Sequence, residues 1–114
     1  MSTVKVSIAN KSEFPVYIKL EKDNLLNEFS LPKCEKVTTK VKSGEYQITI
    51  VYIDIPPTFY YSSFPIKFKM DTKIKLLPPK MGCTSNYKLS SSIMDGVKYL
   101  RYYPLFCLGG AKKE

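Results

Sequence analysis

The most conspicuous chemical groups of this 114-residue chain are lysines that alternate with apolar residues along Ile66–Leu76. A repeat of two residues is typical of a β-strand with one buried side and one solvent-facing side. The solvent-facing side would carry the ammonium groups of Lys67, Lys69, Lys73 and Lys75. The pattern therefore indicates a strand and a row of positive charge, and such a row attracts anionic partners without specifying any chemistry.

The overall charge supports the same interpretation, since 18 Lys+Arg against 10 Asp+Glu give a formal net charge of +8. That charge favours nucleic acid, anionic membrane surfaces or acidic proteins as partners. Lys36, Lys40 and Lys42 would extend the surface if their strand shares a sheet with the others. Arg101 is the only arginine, which disfavours recognition of particular bases, because that task uses the guanidinium fork. The simpler explanation, which the sequence favours, is a solvated face whose lysines prevent aggregation.

The chain lacks the usual groups of a catalytic site. Without any histidine it has neither the commonest general base nor the commonest metal ligand. Cys34, Cys83 and Cys107 do not have the paired spacing of a zinc site. The acidic residues stand singly, and no glycine-rich phosphate loop is present. We therefore predict that the protein is not an enzyme and uses no metal or small-molecule cofactor.

The cysteine count and the first residues predict where the protein resides. An odd number of cysteines, three, is typical of reduced thiols rather than of a disulfide framework. The first residues lack a charged segment followed by an apolar one, and no apolar run approaches the roughly 18 residues of a transmembrane helix. We expect a cytoplasmic or otherwise intracellular protein.

Two apolar segments are candidate contact sites. An aromatic loop would either touch a ligand or membrane or fold back over the core. Its candidate contact residues are Phe59, Tyr60 and Tyr61. A C-terminal apolar tail needs cover from this domain or from another chain, so a protein partner or a homo-oligomer is predicted. Its candidate interface residues are Leu105, Phe106 and Leu108.

The elements that must position these groups are strands. Nine Tyr and six Phe, with many Val and Ile and few Ala, favour pleated sheet over helix. Alternation predicts strands at Val4–Ile8, Val16–Leu20, Leu25–Leu31, Val37–Lys42 and Tyr46–Ile53. We predict a single all-β or mainly β domain, an antiparallel β-sandwich of about seven strands. Residues 4–77 would form the sandwich, and residues 78–114 a less regular extension. The predicted core comprises Val6, Ile8, Val16, Ile18, Leu20, Phe29, Val37, Val41, Ile48, Ile50, Phe68, Met70, Ile74 and Leu76.

Three connections are informative. Gly44 predicts a hairpin between Val37–Lys42 and Tyr46–Ile53, since glycine adopts a positive φ easily. Ile66–Leu76 is either one strand or a hairpin around Asp71-Thr72-Lys73, and both geometries place Lys67, Lys69 and Lys75 on one side. Residues 90–103 contain Asp95-Gly96, a strong hairpin signal, but their apolar spacing also permits a short helix. The sequence decides neither between strand and hairpin for Ile66–Leu76 nor between hairpin and helix for residues 90–103.

The strands Val4–Ile8 and Val16–Leu20, and above all Val41–Ile50 with its glycine turn, carry a family resemblance. They resemble small prealbumin-like sandwich modules, such as PEGA and carboxypeptidase-regulatory-like domains. The resemblance covers residues 4–77, although Asp54–Pro57 stands where PEGA modules repeat a glycine-centred turn. It implies a non-catalytic role in adhesion, assembly or spacing. We therefore predict a non-enzymatic interaction or assembly module, with binding of nucleic acid or anionic membrane by the lysine face as the alternative.

Overall fold

The computed structural model describes residues 2–53, 60–80 and 87–104, which form nine strands in two sheets. The strands are β1 (Thr3–Asn10), β2 (Val16–Lys22), β3 (Leu25–Leu31), β4 (Lys36–Lys42), β5 (Gly44–Tyr52), β6 (Tyr60–Phe68), β7 (Thr72–Leu76), β8 (Tyr87–Met94) and β9 (Val97–Pro104). The five-stranded sheet has the order β4-β1-β7-β9-β8, and the four-stranded sheet has the order β3-β2-β5-β6. The all-β prediction is confirmed, with nine strands rather than about seven.

The five-stranded sheet is mixed rather than purely antiparallel. β7 pairs in parallel with β1 on one side and with β9 on the other. The remaining pairings in both sheets are antiparallel. The chain reaches β7 from β6, which belongs to the four-stranded sheet. No hairpin therefore sets the direction of β7 relative to β1 and β9.

The two local hairpins have the turn chemistry that the sequence indicates. Asp95 and Gly96 both adopt positive φ, 53° and 78°, as a two-residue turn between β8 and β9 requires. Asp23, with φ of 52°, stands at the corresponding place between β2 and β3. Residues 87–104 therefore form a hairpin, and the helical alternative is wrong for them.

The two other expected hairpins are wrong because the chain crosses between sheets at both places. β4 belongs to the five-stranded sheet and β5 to the four-stranded one, so Ser43 and Gly44 form a crossing. Gly44 has a φ of 146°, and a Cβ atom added to it would lie 2.6 Å from Lys22 Cε. β6 and β7 are likewise divided between the sheets, so Ile66–Leu76 is neither one strand nor a hairpin. Met70 lies in this second crossing and is 72% exposed, so its assignment to the core is wrong.

The core lies between the sheets and receives side chains from both. Apart from Met70, the predicted core residues are buried or, for Phe29 and Val37, packed half-buried against the core. Tyr52 of β5 and Tyr102 of β9 were missed, because a hydroxyl makes burial hard to foresee. Their rings meet edge to face at 5.3 Å. The Tyr52 hydroxyl donates to the carbonyl of Leu77, directly after β7, at 3.0 Å, and the Tyr102 hydroxyl donates to that of Ile50 in β5 at 3.3 Å. Both buried hydroxyls therefore have a hydrogen-bond partner, and the two tyrosines connect the sheets.

A buried amide organises one end of the sandwich. Asn10 is fully buried, and its Nδ2 lies 2.7 Å from the carbonyl oxygen of Phe14 and 3.1 Å from those of Leu31 and Pro32. Its Oδ1 accepts from the backbone N–H of Ser12 at 2.9 Å. One side chain thus connects the turn after β1 with the connection after β3.

The segment predicted to be a less regular extension supplies two strands of the five-stranded sheet. β9 lies inside that sheet, between β7 and β8, and its Leu100 and Tyr102 are buried. The apolar tail with Leu105, Phe106 and Leu108 lies outside the described residues.

Candidate anion-binding face

Charge is divided very unequally between the two sheets. The strands of the five-stranded sheet contain nine basic residues and no Asp or Glu: Lys5, Lys36, Lys40, Lys42, Lys73, Lys75, Lys88, Lys98 and Arg101. The strands of the four-stranded sheet contain three of each sign: Lys19, Lys22 and Lys67 with Glu21, Glu28 and Glu45. The positive charge of the protein is therefore concentrated on one sheet.

Strand alternation directs most of these cations away from the core. Lys36, Lys40 and Lys42 are exposed on β4, where Val37 and Val41 point inward. On the neighbouring strand Lys5 stands directly opposite Lys40. Like charges opposite each other on one face are unfavourable for the sheet.

Lys73 and Lys75 continue the same outer face on β7. Lys73 lies level with Ser7, and Lys75 is level with Ala9. Lys36 is also level with Ala9, on its other side. Lysines of two strands therefore flank the small residues of β1.

The cations of this face have no acidic partners within the described part of the chain. The two ion pairs found there join Lys19 to Glu21 at 3.5 Å and Lys33 to Glu13 at 3.9 Å, both outside the five-stranded sheet. Uncompensated ammonium groups keep their attraction for an external anion, because no internal carboxylate neutralises them.

The small residues of β1 make the face concave. Ser7 and Ala9 form the floor of two adjoining depressions with volumes of about 420 and 220 Å³. Both depressions include Ser7, Lys73 and Val97, so they merge into one shallow groove. We call this the β1 groove; its walls are Lys36 and Thr38 on one side and Lys73 and Lys75 on the other.

Two acidic side chains lie at one end of the β1 groove. Asp71 and Asp95, from the connections before β7 and β9, line the larger depression. Asp71 Oδ1 accepts the backbone N–H of Lys5 at 2.8 Å. The opposite end, around Ala9, is bordered by Lys36, Lys73 and Lys75.

Tyrosines share this face with the lysines. Tyr99 is level with Lys75, whose Nζ lies 5.7 Å from the centre of the Tyr99 ring, within the range of a cation–π contact. Tyr103 follows on the same side of β9 and is 43% exposed. Tyr102 points the other way, into the core. Tyr99 and Tyr103 therefore share the outer face of the five-stranded sheet with the lysines.

The predicted lysine set is only partly assembled. Lys36, Lys40, Lys42, Lys73 and Lys75 share the outer face of the five-stranded sheet. Lys67 is wrongly placed by the sequence argument: it lies on the outer side of β6, in the other sheet. Lys69 is exposed in the crossing between β6 and β7. Sequence reasoning missed Lys5, although its position in an alternating strand could have indicated the same face.

The aromatic candidates separate as well. Phe59 lies outside the described residues, as does the side chain of Tyr60. Tyr61 belongs to β6, a strand rather than the expected loop, and is 63% exposed. Tyr61 and Phe64 of β6 line a cleft of about 590 Å³ together with Leu89 of β8. Strands β6, β8 and β9 line this cleft, whereas the β1 groove has its floor on β1.

Comparison with family models, curated proteins and solved structures finds no match for this chain. Within residues 2–53, 60–80 and 87–104, no three His, Cys, Asp or Glu side chains lie close enough together to hold a metal ion. The same residues include no helix with the length and apolar character needed to cross a membrane.

Proposed function

We propose that this protein is a non-enzymatic binding module that holds a polyanionic macromolecule against the outer face of its five-stranded sheet. The observation that carries the proposal is the division of charge: the strands of one sheet contain nine basic residues and no Asp or Glu, and the strands of the other contain three residues of each sign. Lysines that serve solubility alone would be expected on both faces with interspersed acids. Concentration on one face instead favours electrostatic binding there.

The binding would be largely electrostatic. Each lysine that neutralises an anionic group releases counterions, which lowers affinity by a power of the salt concentration. Lysine is a strongly hydrated point charge, so it attracts anionic groups without selecting their geometry. The module would therefore recognise charge density rather than a particular sequence.

A pair of matched charge reversals tests the proposal. The double variant Lys40→Glu/Lys73→Glu alters the five-stranded sheet, and Lys19→Glu/Lys67→Glu makes the same change in net charge on the other sheet. Binding of a fluorescein-labelled heparin oligosaccharide is measured by anisotropy at several salt concentrations. We expect the first variant to lose about tenfold or more in affinity and to show a shallower salt dependence. Equal losses in both variants would overturn the proposal.

A second candidate function, self-association through a sheet edge, is favoured by β8. This edge strand has no proline, its one lysine is at the start, and Ile93 is 71% exposed. Unprotected edges are templates for another strand. Antiparallel pairing of two copies around Ser91 would set Ile93 against the second copy's Leu89. The resemblance to prealbumin-like modules also supports an assembly role.

Sedimentation velocity over a range of protein concentrations tests this second function. The wild-type protein should dimerise, and Ile93→Lys should remain monomeric because it places a charge at the edge. Thr38→Lys on the opposite edge strand is the control, and it should dimerise like the wild type. A wild-type protein that stays monomeric at every concentration rules the function out.

A further inference from the structure

We infer that the polyanion is single-stranded nucleic acid, with its backbone in the β1 groove and its bases toward the tyrosines of β9. The inference rests on the proposed function and adds the class of ligand. Two features of the face lead to it, the width of the groove and the position of the aromatic rings, and the two carboxylates at one end limit where the strand lies.

The groove has the width for one backbone. Lys36 and Lys75 stand on either side of Ala9, two strand spacings apart, which is about 10 Å between their backbones. Their flexible side chains can close on a phosphodiester chain that lies over Ser7 and Ala9. In a duplex the bases are paired and stacked inside the helix, so they are not free to stack on side chains of this face.

The aromatic rings lie where the bases of such a strand would fall. Tyr99 is one strand beyond Lys75 and in register with it, so Lys36, Ala9, Lys75 and Tyr99 form one row across the sheet. Tyr103 lies further along β9 on the same side, with Arg101 between the two tyrosines. Lysines that track a backbone beside rings on which bases stack are the combination found in sequence-tolerant single-strand binding. A heparin chain or a lipid headgroup has no base to stack, so the tyrosines favour single-stranded nucleic acid over these ligands.

The carboxylates set the position of the strand along the groove. Asp71 and Asp95 repel phosphates at one end, so the contact is centred on the Ala9 end, between Lys36 and Lys75. Asp95 has a φ of 53°, which asparagine tolerates in a hairpin turn. Asp95→Asn therefore removes one repulsive charge without disturbing the turn, and we expect it to tighten binding about twofold.

The experiment measures anisotropy with labelled oligothymidylate and oligouridylate of about 15 nucleotides, close to the upper site size of one single-strand-binding sheet domain. The comparison ligands are a DNA duplex of equal length, the heparin oligosaccharide and phosphatidylserine-containing vesicles. The single strands should bind about tenfold more tightly than the duplex. The ratio of the two single strands shows whether DNA or RNA is preferred.

The tyrosine variants separate stacking from charge. Tyr99→Leu/Tyr103→Leu should weaken single-strand binding about tenfold and leave heparin binding unchanged, because stacking contributes only with bases. Tyr99→Phe/Tyr103→Phe should restore it. Tyr61→Leu on the other sheet is the matched control. Tyr103→Leu alone, at an exposed position, provides the test if the double variant is unstable.

The possible outcomes separate the two proposals. Duplex, heparin or vesicle binding as tight as single-strand binding, or leucine variants that behave like wild type, would overturn the inference while the division of charge still explained the binding. Failure of Lys40→Glu/Lys73→Glu to weaken the binding of any ligand would overturn the proposed function itself.

Discussion

The two sheets contribute to one core but differ on their outer faces. On the four-stranded sheet the charges are matched internally: Lys19 pairs with Glu21 at 3.5 Å, and the Tyr17 hydroxyl donates to the Glu28 carboxylate. That hydrogen bond raises the pKa of Tyr17 to about 12. On the five-stranded sheet Lys5 stands opposite Lys40. The two inner faces are alike because both are apolar and exclude water. The outer faces differ in charge, and this difference bears on function.

The charges of the two outer faces also differ in their effect on stability. Opposite charges across neighbouring strands stabilise a sheet, and like charges destabilise it by a similar amount. The four-stranded sheet has the stabilising arrangement and the five-stranded sheet the destabilising one. A face whose charges oppose folding is consistent with a role in binding rather than in stability.

The largest effect should come from the core, where the comparison predicts no difference between the sheets. Phe68→Ala removes a buried ring from the four-stranded sheet, and Leu76→Ala a buried side chain from the five-stranded one. Each should lower the free energy of unfolding by about 3–5 kcal/mol, since each leaves a cavity. Urea unfolding should show one transition for both variants. Two separate transitions would mean that the sheets do not share a cooperative core.

A somewhat smaller loss is expected at Asn10, where the two sheets meet through one buried amide. Asn10→Ala deprives the carbonyls of Phe14 and Leu31 of a donor and should lower the free energy of unfolding by about 2–3 kcal/mol. Asn10→Asp should be at least as harmful, because a carboxylate would face carbonyl oxygens. Asn24→Ala, in an exposed turn, is the control. An unchanged urea midpoint for Asn10→Ala would show that the amide does not join the sheets.

High pH should loosen the contact between the sheets through the paired tyrosines. Burial raises the pKa of Tyr102 to about 12 and also raises that of Tyr52. The folded state favours the neutral phenol, so this stability is complete below pH 10 and is lost as the pH rises toward and beyond 12. The shift at Tyr102 corresponds to a loss on the order of 2 kcal/mol.

Thermal denaturation at pH 9 to 12 measures this loss. Tyr102→Phe should be less stable at pH 9, because it lacks the hydroxyl bonded to Ile50, but should lose less stability as the pH rises. The same slope for Tyr102→Phe and wild type would contradict the assignment.

The smallest expected effect tests the difference between the outer faces most directly. The same change, Lys to Glu, should raise the free energy of unfolding on one sheet and lower it on the other. Lys40→Glu replaces a like-charge pair with Lys5 by an opposite-charge pair and should stabilise the protein by about 0.2–1 kcal/mol. Lys19→Glu places a carboxylate beside Glu21 and opposite Glu28, and should destabilise it by a similar amount. Chemical denaturation in low salt measures both, and added salt should reduce both effects. Changes of the same sign would remove the electrostatic contrast between the sheets.

Local features of the fold were predictable because they depend on neighbouring residues. The alternation in Val4–Ile8 and Val16–Leu20 correctly indicated which side chains face the core. Asp95-Gly96 contains the positive-φ residues of a tight turn, although a helix was equally compatible with the sequence. The buried Tyr52 and Tyr102 were not predictable, since their hydroxyl partners, the carbonyls of Leu77 and Ile50, are distant in the sequence.

By itself, the sequence determined that the protein is built from strands and which side of most strands faces inward. The tertiary structure alone decided which sheet each strand joins. A repeat of two residues marks the side that faces the core, and both sheets face the same core from opposite directions. A strand therefore has the same pattern in either sheet. Lys67 and Lys73 alternate identically with apolar neighbours, yet the crossing between β6 and β7 places them on opposite outer faces. Long-range pairing of β7 with β1 and β9 gathers the remaining lysines beside Tyr99 and forms the candidate site.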